Sequence, residues 1–94
     1  MAVKEVVVYV VHEHALSGFD EASASMLAFL ATRAGFLRRT VHRDAKNPRT
    51  YMDIVEWTSL EEAEAAAQAA ETAGSTAAFL ESIQTIDMIR YFVA

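Results

Sequence analysis

The chain opens on an unbroken apolar run, Val6 to Val11 with Tyr9 inside it, flanked by Lys4-Glu5 and by His12-Glu13-His14. Loss of polar alternation over six β-branched and aromatic residues predicts a strand buried on both faces. The period then changes. Ser17 stands three residues before Asp20 in the manner of a capping box, and Phe19, Ala22, Met26, Phe29 and Leu30 fall on one helical stripe. This predicts a first helix with Arg33 in its last turn and Gly35 at a left-handed position beyond it.

Two β-rich segments follow, Phe36 to Arg43 and Thr50 to Trp57, separated by the turn residues Lys46-Asn47-Pro48-Arg49. They read as a hairpin. Thr58-Ser59-Leu60-Glu61-Glu62 then offers overlapping Ser/Thr-x-x-Glu caps to an Ala-rich helix with Leu60, Ala63, Ala67 and Ala70 on one face and Gly74 as its stop. Phe79, Leu80 and Ile83 predict a short extra helix over Ser75 to Ser82, before a last strand from Thr85 to Val93.

The order strand, helix, strand, strand, helix, strand contains two βαβ halves. Right-handed crossovers bring such halves into one α+β, ferredoxin-like antiparallel sheet of four strands with both helices on one face. The first strand is apolar on both parities, Val7, Tyr9 and Val11 against Val6, Val8 and Val10, and helices can cover only one set. An apolar sheet face left in water is unusual for a monomer. The expected partner is therefore a second copy of the chain, packed sheet to sheet as a homodimeric α+β barrel.

At 94 residues, 53% of them apolar, the sequence fits one domain spanning residues 1–94, small enough to gain from burying a further face. Thirteen acidic residues against eight Lys and Arg give a net charge of −5, with no basic run longer than Arg38-Arg39, so neither nucleic acid nor an anionic membrane is expected as a partner. No cysteine is present, and no segment reads as a membrane helix or signal core. Cytoplasm is the expected location.

Gly35-Phe36-Leu37 at the start of the second strand, Glu56-Trp57-Thr58-Ser59 at the end of the third, the acidic, Ala-rich helix after it and Phe79 in a short helix form a pattern. It resembles the antibiotic biosynthesis monooxygenase family within the dimeric α+β barrel superfamily, from about Val6 to Phe92. The resemblance implies a pocket in each subunit and, in some members, cofactor-free oxygenation of polycyclic phenols. It aligns Trp57 with the pocket tryptophan of those oxygenases, and Asp53 with a position where they carry Asn. The helix-two Trp and following His of the haem-degrading branch fall near Ala66 and Thr76, so haem is not expected, nor any other cofactor.

Period two puts Tyr51, Asp53, Val55 and Trp57 on one face of the third strand, with Met52 and Ile54 on the other, suited to the helix side. A register setting His42 opposite Asp53 would bring Arg38 near Trp57 and line the barrel side with these polar groups. A one-residue slip would substitute Val41 and Arg39. The catalytic candidates are His42, Asp53 and Trp57: His42 and Asp53 would form an oriented acid/base pair, against the plainer reading of a cross-strand ion pair at a dimer seam. Substrate contacts are expected from Arg38, Tyr51, Tyr9, Met26 and Phe29, the last two being equally suited to plain core. His12-x-His14 could begin a metal site with His42, but the sequence supplies no clear third ligand and no metal is expected. Two functions follow. One is a cofactor-independent monooxygenase acting on small aromatic, phenolic or enolic substrates. The alternative is a non-catalytic, stress-responsive-type dimer that binds small aromatic ligands.

Overall fold

The computed structural model describes residues 1–94. Strand β1 (Val3–Val11) is followed by a 3-10 turn (Glu13–Gly18), helix α1 (Phe19–Leu30), strand β2 (Phe36–Arg43), strand β3 (Thr50–Trp57) and helix α2 (Leu60–Ala70). A second 3-10 turn (Gly74–Thr76), helix α3 (Ala77–Ser82) and strand β4 (Ile83–Val93) complete the chain. All three strand pairings are antiparallel, in the order β2-β3-β1-β4. This is the ferredoxin-like α+β arrangement that the sequence pattern predicts.

Each strand boundary reflects its pairing. β1 begins at Val3, earlier than the apolar run, because Lys4 and Glu5 pair with both β3 and β4. Ser17 does not cap α1: it lies within the first 3-10 turn, and the helix starts after Gly18 without a side-chain cap. α1 also stops at Leu30, three residues short of Arg33. Gly35 alone has a positive φ, 83°. The chain needs that left-handed step to turn from the α1 end into β2, where the Gly35 carbonyl accepts from Thr58 N at 2.9 Å.

The cap of α2 forms as its sequence suggests. Ser59 Oγ accepts from Glu62 N at 3.2 Å, while the Glu62 carboxylate takes the Ser59 and Thr58 hydroxyls. The helix buries Ala63, Ala66 and Ala70, whereas Leu60 is exposed and Gly74 starts the next turn without a left-handed step. Alanine side chains let α2 approach the sheet closely, yet they are too small to fill all the space between them.

The core lies between the sheet and the helices. Val3, Tyr9, Val11, Val55 and Trp57 project from the sheet to meet Phe19, Ala22, Met26, Leu30 and Phe79 from the helices. The faces of β3 are thus opposite to expectation: Tyr51, Asp53, Val55 and Trp57 point toward the helices, while Met52 and Ile54 point to the open face. The largest aromatic, Trp57, takes the most enclosed place, with no exposed surface. No helix is long and apolar enough to cross a membrane.

Candidate active site

A cavity of about 220 Å³ lies between the inward face of the sheet and the helices. Met26 and Leu30 from α1, Ala67 and Ala70 from α2, Phe79 and Leu80 from α3, and Val7, Val55 and Ile83 from the sheet give it apolar walls. Its polar groups are Glu5, Asp53, the Tyr9 hydroxyl and the indole of Trp57, with Glu71 at the end of α2. The β4 wall is open: Ile86 and Ile89 remain 52% and 44% exposed, because no helix covers that strand.

The Asp53 carboxylate is bound at both oxygens. Oδ1 accepts from the Tyr9 hydroxyl at 2.6 Å, and Oδ2 accepts from Arg39 Nε at 3.0 Å and Nη2 at 2.8 Å. Arg39 is itself almost fully enclosed, its side chain 2% exposed. Its Nη1 donates to the Ser23 carbonyl at 2.9 Å, tying β2 to α1, and the guanidinium lies 5.2 Å over the Phe79 ring. A buried carboxylate is tolerated here because a buried, forked cation matches it. Burial and the Asp53 charge together push the Tyr9 phenol far above its ordinary range, so it stays a hydrogen-bond donor.

A second carboxylate projects from β1. Glu5 Oε1 accepts from Trp57 Nε1 at 3.1 Å and Oε2 from the Tyr91 hydroxyl at 3.4 Å. No Arg or Lys pairs with it. Burial raises its pKa above the usual carboxylate range, the bonds from Trp57 and Tyr91 oppose that rise, and the charge on Asp53 adds to it. The charge on Glu5 acts in turn on Tyr91, whose phenol is raised by burial first and then by that neighbour.

The hairpin register decides which expected residues meet. Val41, not His42, lies opposite Asp53, after an irregularity between Phe36 and Arg38 that places Arg39 on the inward face. His42 therefore pairs with Met52 on the open face, exposed, with its ring 3.2 Å from the Thr40 hydroxyl. Arg38 also lies on that face, paired with Glu56. Neither approaches Asp53, so the expected His42–Asp53–Arg38 group does not form and Arg39 takes the place beside the carboxylate.

Asp53, Trp57, Tyr9 and Met26 do share the cavity wall. Tyr51 stacks on Tyr9 at 6.0 Å and lies tilted against Phe19 at 4.3 Å, lining a groove between α1 and β2 instead. That groove is larger, about 510 Å³, but shallow and open to solvent, and it holds none of the Asp53, Glu5 and Trp57 cluster. Phe29 packs beside the core with Arg33 5.5 Å over its ring, outside the cavity. His12 and His14 stack 5.0 Å apart, and no group of three metal-ligand side chains comes together. Glu5 is a cavity residue that sequence reasoning missed. Its signal is parity: with the strand extended to Val3, Glu5 is the one charge in the inward series Val3, Glu5, Val7, Tyr9, Val11.

The class that these elements define is a ferredoxin-like α+β domain with a partly open, mostly apolar cavity between sheet and helices. The chain belongs to the antibiotic biosynthesis monooxygenase family, whose model matches residues 2–79. Its structure is similar to that of an antibiotic biosynthesis monooxygenase homologue from Bordetella bronchiseptica, with a TM-score of 0.85 at 15% identity over 99% of this chain and 96% of that one. It is also similar to SnoaB, a cofactor-independent oxygenase from Streptomyces nogalater, with a TM-score of 0.78 at 25% identity over 99% and 92% of the two chains. A conserved protein from Methanosarcina mazei Go1 shares the fold, with a TM-score of 0.77 at 14% identity over 98% and 91%. No curated protein sequence matches the chain.

Proposed function

We propose that this protein is a cofactor-independent monooxygenase that oxidises a small phenol or enol in the cavity between sheet and helices, as a homodimer joined through the open sheet face. The observation that carries the reading is the apolar cavity with the Asp53 cluster on its wall, in a family member similar along its whole length to SnoaB. At about 220 Å³ the cavity is smaller than the roughly 300–1,000 Å³ of most ligand pockets, so only a small ring system fits.

The chemistry rests on the substrate. A phenol in its keto form carries an acidic CH₂; loss of one proton leaves a carbanion rich enough to pass an electron to dioxygen. The radical pair closes to a C–O bond and gives a hydroperoxide. Loss of the second C–H proton then breaks the O–O bond, so CH₂ and O₂ become C=O and H₂O, with all four electrons supplied by the substrate carbon. Asp53 Oδ1 takes one hydrogen bond from Tyr9 and has capacity for another, from a substrate hydroxyl. Arg39 fixes that carboxylate in place through two hydrogen bonds, and Met26, Leu30 and Val55 give the substrate ring an apolar surface on the closed side of the cavity.

The test is oxygen uptake by the protein, freed of metal by chelation, with a panel of anthrones and hydroquinones. Uptake above the uncatalysed rate is expected. No uptake across the panel would overturn the oxygenase reading, and saturable binding of the same compounds would then identify a small-ligand carrier.

A further inference from the structure

We infer that Glu5 is the proton acceptor of this cavity: it takes the proton from the substrate carbon and returns it to the departing oxygen. The inference rests on the oxygenase reading and assigns the base that the reaction requires.

The assignment follows from what the cavity's other polar groups can do. Asp53 is committed, since protonating it would leave Arg39 as an unpaired buried cation. The Tyr9 hydroxyl already donates to Asp53 and is held protonated by burial and by that neighbour's charge. Trp57 has only a donor. His42 lies on the opposite face of the sheet. Two carboxylates without a cationic partner line the cavity, Glu5 and Glu71, and of these Glu71 is exposed at the end of α2 whereas Glu5 is half-buried on the sheet wall, held by Trp57 and Tyr91.

Its surroundings suit the task. Trp57 Nε1 and the Tyr91 hydroxyl each hold one oxygen, so the carboxylate is oriented by neutral donors whose charge does not change when the proton arrives. The groups facing it are Asp53 from β3 and Tyr91 from β4, with Tyr9 on its own strand, and Glu71 from α2 lines the same cavity; Glu64 of α2 acts on Tyr91. The ionised groups among them are all acids, with Arg39 turned to Asp53. Burial first, and the Asp53 charge after it, raise Glu5 above the usual carboxylate range against the pull of the Trp57 and Tyr91 bonds, the direction that makes a carboxylate a stronger base.

The proton balance closes on this one group. Glu5 takes the first proton from CH₂, leaving the electron pair on carbon. Protonated Glu5 then gives it to the peroxide formed when the carbon bonds O₂. Glu5 removes the second C–H proton as the C=O bond forms and the O–O bond breaks. Hydroxide leaves, takes that proton and departs as water.

Trp57 is the only tryptophan in the chain, so its emission reports directly on the group its indole touches. The experiment compares wild type, Glu5→Gln and Glu5→Asp for oxygen uptake with an anthrone, for Trp57 emission against pH without ligand, and for binding of the quinone product. Wild-type turnover should fall as pH drops through a pKa above the usual glutamate value of about 4.3, with Trp57 emission titrating at the same point. Glu5→Gln should lose turnover on the order of 10²-fold or more, show no such emission step, and bind the quinone within about 3-fold of wild type. Glu5→Asp should recover part of the rate.

Unfolding cannot mimic this result. A carboxyl whose folded pKa is raised contributes stability that is complete below its unfolded pKa and is lost as pH rises through its folded pKa. Glu5→Gln should therefore melt above wild type at pH 8, the difference vanishing below about pH 4. Turnover by Glu5→Gln within about 3-fold of wild type, or an unchanged emission step, would overturn the role of Glu5 and leave the oxygenase reading standing. Absence of wild-type turnover would overturn both.

Discussion

Asp53 and Glu5 point into the same cavity from adjacent strands, yet their partners give them opposite characters. The first is locked by a forked cation, while the second is held by neutral donors and free to change charge. The Asp53–Arg39 pair is accordingly structural, and breaking it by removing one partner should be costly. Arg39→Met leaves a buried carboxylate with only the Tyr9 bond, and should destabilise the fold by about 3–5 kcal/mol. Adding Asp53→Asn, which removes the stranded charge, should recover a large part of that loss. Urea denaturation of the single and double variants measures both, and equal stability of Arg39→Met and wild type would show that water reaches the site.

At the scale of elements, the decisive feature is the start of the hairpin. Phe36 pairs with Trp57, but Arg38 pairs with Glu56, so the irregularity around Leu37 shifts the rest of β2 by one residue and turns Arg39 inward. The far end is held by Asp44, whose Oδ1 accepts from Lys46 N at 2.8 Å and Asn47 N at 3.2 Å. Gly35 sets the entry: a side chain there would face a positive φ and run into the Glu62 carboxylate and the Thr58 hydroxyl that cap α2. Gly35→Ala should therefore cost about 2 kcal/mol or more, read as a lowered urea midpoint. Because the same residues begin β2 and cap α2, whose Ala67 and Ala70 wall the cavity, it should also slow or weaken ligand binding there. A midpoint within error of wild type would contradict this coupling.

At the scale of the molecule, one sheet face carries all the helices and the other carries none. Val6, Val8, Val10, Met52, Ile54, Met88 and Phe92 belong to the uncovered face, with Val8 between Met52 and Met88 near its centre. His42 and Arg38 lie at its edge, where a second copy would meet them. Light scattering is expected to give twice the chain's 10.4 kDa at micromolar concentration. Val8→Asp should shift that mass to a monomer or abolish folding, since it places a charge in the middle of the seam. A folded wild-type monomer at that concentration would exclude the barrel.

Strands, helices and their order were legible in the chain because each rests on local periodicity: an apolar run for β1, a 3.6-residue stripe for α1, a Ser59-Glu62 cap for α2, turn residues between β2 and β3. The presence of Asp53 and Trp57 on one face of β3 was legible for the same reason, since alternation along a strand is a local property. Which face looks at the helices was not. Met52 and Ile54 are as apolar as the positions around Asp53, and only the pairing of Asp53 with Arg39 and Tyr9 makes the polar face the buried one. The site likewise depends on a one-residue choice of register that places Arg39 inward and His42 outward, and on the extension of β1 that turns Glu5 toward Trp57. Such contacts join residues 14 to 86 positions apart, and no local pattern encodes them. The elements belong to the sequence, whereas the chemistry of the cavity belongs to the packing of the sheet against the helices.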